Sequence, residues 1–390
     1  MTLKEDQYFR VNRILLLTVG LWPYQQSNFA RFQHIFISTI LTTFIIFQLT
    51  AFLTLRCTFE VLMNVLSCTT YMTIPIIEYN TFCFNIEGVK DLLIQLQHIH
   101  NKLTNKNEIA IMKKYVCTAK HYTVVLTTFG VYCLFGLFVV QFSLNMTDVD
   151  LSTNESRPYK FLFTMEYFID REKYFYLILF HINATMCIAA IAATAIGTMI
   201  ISYIHHICGM FRIASYRIEN AININILQPT LKNKILMIGG IICAVDIHRQ
   251  AMKLNRHLIS ILEIMVFCVI ACGVFSLSLN LFQLASSEYN IEKLFVPHGF
   301  VLLAIIHMFL ANLMGQIIID HNNHVFTTAY NVQWYKTPLH IQRMILFLLQ
   351  RGTKEFKIRI GKLFEGSMEC FAMLVKVSIS YFTVIHSTRS

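Results

Sequence analysis

Charged residues are scarce in this chain. Only 14% of its 390 residues are Asp, Glu, Lys or Arg, against about 25% in a soluble domain, and the mean hydropathy is +0.54. With 55% hydrophobic residues it could not cover itself with polar surface in water. That excludes a soluble globular domain and implies several membrane crossings. A secretory leader is also missing: the apolar run Ile14 to Val19 is short, and Trp22-Pro23 follows it in place of a small-residue cleavage site. No nucleophile stands beside a base and an orienting group, which argues against an enzyme. No inverted repeat or pair of broken helices is evident, which argues against a transporter. His321 and His324 flank Asn322-Asn323 beside Asp320 with a metal-like spacing, but no further ligands accompany them. No metal or cofactor is expected.

What the chain has is seven long apolar runs. They extend from His34 to Leu55, Val61 to Phe84, Thr118 to Leu144, Phe175 to Ile204, Leu258 to Leu284, Gly299 to Ile319 and Ser367 to His386. Each suits a helix crossing roughly 30 Å of hydrocarbon, and the alternating ten-residue pattern of a barrel strand is absent. The expected architecture is all-α with seven transmembrane helices. Its parts are an N-terminal segment over 1–33, spans one to six over 34–319, a helical anchor region over 320–366, and the seventh span with the C-terminus over 367–390.

Orientation follows from the basic residues. Of the 32 Lys and Arg, 24 fall in the N-terminal segment and the loops after spans two, four and six, with Lys120 at the start of span three counted among them, and 7 on the opposite side. The N-terminus is therefore expected in the cytoplasm and the C-terminus outside. The sequons at Asn145 and Asn154 both lie in the loop after span three, on the expected exterior. The net charge of +10 then reads as attraction to anionic membrane lipid, not nucleic acid. Most of the cysteines, including Cys68, Cys83, Cys133, Cys187, Cys268 and Cys272, lie in spans and serve as small packing residues, not as a disulfide framework. A G-protein-coupled receptor would have the reverse orientation.

The segments from Ile207 to Arg256 and from Asp320 to Leu363 are long and amphipathic, so their helices are expected to run on into the cytoplasm. There Ile341, Ile345, Leu348 and Leu349, at helical spacing, need partners, which other subunits could supply. His205 and His206 are expected at the membrane interface, and Asp246 with His248 and Arg249 in a polar contact.

At this point several stretches carry a resemblance. GLWPYQ at 20–25, DIHRQA at 246–251, TTAYNVQWYKTP at 327–338, LLQRGTKEFKIRIGKLFEGSMECF at 348–371 and SISYFTVIHS at 378–387 look like the insect odorant receptor family, across the whole chain in motif order. The resemblance implies an odorant-gated, non-selective cation channel of four subunits, in which a tuned subunit works with a shared co-receptor in the plasma membrane of sensory neurons. It also implies a pocket for small volatile odorants between spans two, three, four and six, towards the exterior. A gustatory receptor channel would share this topology, but that family typically ends in a Thr-Tyr and Gln-Phe pattern.

In the last span, Lys376, Ser380, Thr383, Val384 and Ser387 fall on one helical stripe. Polar groups in lipid are expensive, so the stripe faces protein or water. Small-residue packing and pore lining fit the spacing equally. The resemblance favours the pore, with Val384 at a hydrophobic constriction that gates by dewetting, and Lys376 snorkelling. The pocket candidates are Ser67, Thr70, Tyr71 and Ile74 on span two, Tyr132, Phe135 and Gly136 on span three, Phe175, Leu179 and Asn183 on span four, and His298 and Phe300 on span six.

Overall fold

The computed structural model describes residues 9–25, 27–54, 56, 58–146, 161–223, 231–286, 291–354, 356–360 and 364–388. Among these, seven helices are long and apolar enough to cross a membrane. In chain order the helices are α1 (Arg10–Thr18), α2 (Asn28–Leu49), α3 (Ala51–Thr54), α4 (Phe59–Phe84), α5 (Ile86–Lys102), α6 (Lys106–Met146), α7 (Phe175–Asn223), α8 (Leu231–Ser286), α9 (Ile291–Asn331), α10 (Leu339–Gly352) and α11 (Met368–Ser387). A two-residue hairpin, β1 (Arg359–Ile360) with β2 (Phe364–Glu365), precedes the last helix.

Capping explains where three spans begin. The side chains of Ser27, Thr58 and Ser367 accept hydrogen bonds from the backbone N–H groups of Ala30, Val61 and Cys370. Each satisfies one of the four N–H groups that a helix start leaves open.

The apolar runs mark only part of each helix. At 1.5 Å per residue α7, with 49 residues, and α8, with 56, are about 74 and 84 Å long, far more than the bilayer needs. They continue because their buried stripes continue: Met237, Ile241, Ala244, Ile247, Ala251 and Leu254 lead α8 without a break into its apolar span. The extended ends are tied by Arg217, whose guanidinium grips both carboxylate oxygens of Glu108 on α6, at 2.7 and 2.9 Å, and donates to the Cys243 carbonyl on α8 at 2.9 Å. Bidentate pairs of this kind fix geometry as well as adding energy.

α7 forms the centre of the bundle and is buried on almost every side over its second half. Ala189, Ala192, Ala195 and Gly209 keep its surface thin enough for α6, α8 and α9 to pack closely against it. α1 lies across the same helix, and Phe9, just before it, stacks on His206 at 5.3 Å. His205 and His206 are buried between helices, each donating from Nδ1 to the carbonyl one turn back.

The anchor region differs from expectation in one respect. Ile341 and Ile345 on α10 are fully buried within the chain, with α10 packed on α9, so no second subunit is needed to cover them. The outward residues of that helix are Leu339, Leu346 and Phe347.

Candidate functional site

Spans two to six surround a cavity of about 380 Å³, within the roughly 300–1,000 Å³ typical of small-molecule sites. Tyr71, Met72 and Ile74 line it from α4, Phe129, Gly130 and Cys133 from α6, Met186, Ala193 and Thr194 from α7, Leu262, Met265 and Val266 from α8, and Phe300, Met308 and Ala311 from α9. Aromatic rings stack at one end of it. Tyr71 stacks on Phe300 at 4.4 Å, and Phe163, from the loop before α7, lies over Phe300 at 6.4 Å.

That loop is pinned to α2. Its Glu166 N–H donates to the Phe47 carbonyl at 2.9 Å, Thr50 Oγ1 donates to the Glu166 carbonyl at 2.7 Å, and Tyr167 stacks on Phe47 at 4.3 Å. The Glu166 carboxylate holds Arg171 at 2.6 Å. Burial alone would raise its pKa. The Phe168 N–H and the Arg171 guanidinium outweigh that and hold it below the ordinary 4.5.

Three of the expected pocket residues, Tyr71, Ile74 and Phe300, line this cavity. The other nine do not. Ser67, Thr70 and His298 precede Tyr71 and Phe300 on their own helices, and Phe175, Leu179 and Asn183 precede Met186, the first residue of α7 to line the cavity. The Ser67 hydroxyl is occupied by Gln283, which donates to it at 2.8 Å, and Phe175 packs on Phe161. Tyr132 and Phe135 point away from the bundle, 74% and 64% exposed, and an added Cβ at Gly136 would meet open space. The cause is helical phase: α6 turns Gly130, Cys133, Leu134 and Leu137 inward instead.

The polar groups in the cavity were not apparent in the sequence. Glu78 and His307 face one another from α4 and α9, His307 Nε2 lying 3.2 Å from Glu78 Oε1. Asn255 is fully buried, and among the described residues neither end of its amide has a partner. Only their place on inward faces, seven residues after Tyr71 and Phe300 respectively, could have drawn attention to Glu78 and His307.

The stripe on the last helix is clear. Cys370, Leu374 and Ser378 are buried against α8 and α9, and Ser278 Oγ donates to the Ser378 carbonyl at 3.0 Å. The opposite face carries Lys376, Ser380, Thr383, Val384 and Ser387, all exposed, Val384 at 56%. Asn145 lies in the last turn of α6, and Asn154 falls outside the described residues. Among the described residues no group of three metal-ligand side chains comes together. His321 bonds Tyr115, and His324 contacts Ser215, Thr328 and Arg212. Asp246 accepts from Gln250, and His248 pairs with Asn322.

Seven helices long and apolar enough to cross a membrane, packed around an apolar cavity, define a multi-pass helical membrane protein. A family model described as 7tm Odorant receptor matches residues 58–379, most of the chain, and the chain belongs to that family. Membership sets it among receptors, not enzymes. Odorant receptor coreceptor of Aedes aegypti is 23% identical over 168 residues, 43% of this chain and 35% of that protein. Odorant receptor 9a of Drosophila melanogaster is 20% identical over 199 residues, 51% and 48% of the two chains. The matched stretch thus spans less than half of either relative. The structure of the insect olfactory receptor OR5 from Machilis hrabei in complex with eugenol superposes with a TM-score of 0.80 over 98% of both chains, at 13% identity, and a second structure of OR5 with 0.76. At that identity the likeness establishes the fold.

Proposed function

We propose that this chain is the odorant-binding subunit of a ligand-gated, non-selective cation channel in the plasma membrane of sensory neurons. The observation that carries this reading is the apolar cavity among spans two to six, of a size and polarity suited to a small volatile compound. A second feature supports the channel: the face of α11 that bears Ser380, Val384 and Ser387 has no covering element among the described residues. Four such helices around an axis would place Val384 as a hydrophobic ring that opposes ions by dewetting. The remaining subunits would be a co-receptor, as the similarity to Odorant receptor coreceptor suggests. In this reading residues 1–33 and 320–366 lie in the cytoplasm, α10 turns its outward residues towards neighbouring subunits, and the exterior loop carries glycan at Asn145 and Asn154.

The test is expression in cells with and without a co-receptor, recording currents to a panel of volatile compounds. Inward cation currents that need both chains are expected. Responses that persist without the co-receptor, or that require a G protein, would overturn the proposal. The family match favours this reading over a gustatory channel.

A further inference from the structure

The cavity wall is apolar except at a few points, and one of these is built to hold something. Glu78 is only 5% exposed, yet it faces the cavity. One carboxylate oxygen meets His307 Nε2 at 3.2 Å, and the other, Oε2, has no hydrogen-bond partner among the described residues. A buried acceptor left open is costly, the more so for a charged group. Thr194 and Thr198, which share the wall, do not supply the missing donor, since the Thr198 hydroxyl bonds back to the Thr194 carbonyl.

Position adds to this. Glu78 follows Tyr71 by seven residues on α4, and His307 follows Phe300 by seven on α9. Two turns of helix, about 10 Å, thus separate the stacked Tyr71–Phe300 pair from the Glu78–His307 pair, on the same face of both helices. The cavity offers an aromatic platform at one level and an open carboxylate oxygen at the other. An extended chain of roughly eight atoms covers that interval, at about 3.5 Å per three bonds.

We propose that Glu78, braced by His307, is a ligand-binding residue that selects compounds carrying one O–H or N–H donor at the end of an apolar body, alcohols and amines, over ethers and hydrocarbons of the same skeleton. The inference rests on the cavity being the odorant site. The donor satisfies Oε2, while the apolar body packs under the Tyr71–Phe300 stack. A compound without a donor fills the same volume and leaves the oxygen open, and sites built to hydrogen-bond a ligand reject analogues that lack the group.

The experiment records currents from the full chain co-expressed with a co-receptor. The probes are 1-hexanol through 1-decanol, the corresponding 1-aminoalkanes, and their methyl ethers and alkanes. For the unaltered chain, alcohols or amines are expected to activate at concentrations at least about tenfold lower than the matched ethers and alkanes, as one charge-assisted bond implies. Glu78→Met, of similar length without the oxygens, is expected to erase that ratio. Glu78→Gln, whose amide oxygen still accepts, is expected to keep it for alcohols. Equal or reversed ranking in the unaltered chain, silence to every probe, or a ratio that survives Glu78→Met at normal surface level overturns the inference. Should Glu78→Met fail to reach the surface, the ranking in the unaltered chain decides. Tyr71→Ala separates the two levels of the reading. If it reshapes the response while Glu78→Met does not, only the role of Glu78 falls. If neither variant changes any response, the cavity is not the odorant site.

Discussion

Tyr71 and Phe300 carry the clearest burden among single residues, because their rings line the cavity and stack at one end of it. A stacked aromatic pair contributes about 0.5–1.5 kcal/mol beyond area burial, so Tyr71→Ala or Phe300→Ala is expected to shift half-maximal odorant concentrations by up to about tenfold and to broaden the ligand spectrum. Phe135→Ala, on the outward face of α6, is expected to leave both unchanged; dose–response curves for the three variants check this. Glu166 gives a pH statement with a definite sign. Its pKa is depressed in the folded chain, so its contribution to holding the loop is complete above the ordinary 4.5 and is lost as pH falls through the depressed value. Odorant responses should not vary between pH 6 and 8 through its titration, whereas Glu166→Gln should loosen the loop at neutral pH, read as faster hydrogen exchange over 161–174, and differ little from the unaltered chain once the pH lies below the depressed value. The contrast between Phe135 and its neighbours shows what the sequence could carry at this scale. An aromatic residue in the exterior half of a span was legible, but the rotation of the helix was not. One residue shifts the direction by 100°, and only the neighbouring helices determine it.

Between elements, the narrowest contact joins span six to the start of the last helix. A methyl group at Gly315 would collide with the Gly366 carbonyl oxygen, and Gln316 Oε1 accepts from the Met368 N–H at 3.3 Å. Gly315 also lines the cavity, which makes this the shortest physical link between a bound ligand and α11. Gly315→Ala is expected to cost about 1–3 kcal/mol through overpacking and to lower odorant-evoked current or surface level, while Gly239→Ala, with open space around it, does neither. Surface biotinylation alongside recording separates the two outcomes. On α11 itself, Val384→Asn is expected to raise basal current by hydrating the ring, whereas Leu374→Asn, buried against α8 and α9, is expected to reduce surface level. The seven spans and the Ser367 start were legible because hydropathy is local, and so was the amphipathic continuation over 207–256. The Ser27 and Thr58 starts were not, since α2 and α4 begin before the apolar runs at His34 and Val61, and the points where α7 and α8 end depend on buried stripes that answer one another.

At the scale of the whole molecule, topology and pore are the claims to test. The bias of basic residues favours a cytoplasmic N-terminus, so an N-terminal epitope is expected to bind antibody only after permeabilisation and a C-terminal one on intact cells, with glycan lost on replacing Asn145 and Asn154. An N-terminal epitope open on sealed cells would contradict the orientation. The central claim is that the uncovered face of the last helix conducts ions. Its most direct measurement places single cysteines at 374, 378, 380, 384 and 387 in the chain co-expressed with a co-receptor and applies a charged, membrane-impermeant thiol reagent from outside. The account expects partial block at Ser387→Cys in either state, block at Val384→Cys and Ser380→Cys only while odorant is present, and none at Leu374→Cys or Ser378→Cys. Unchanged current at all three outward positions, with normal surface levels, would contradict it and leave this helix a packing element.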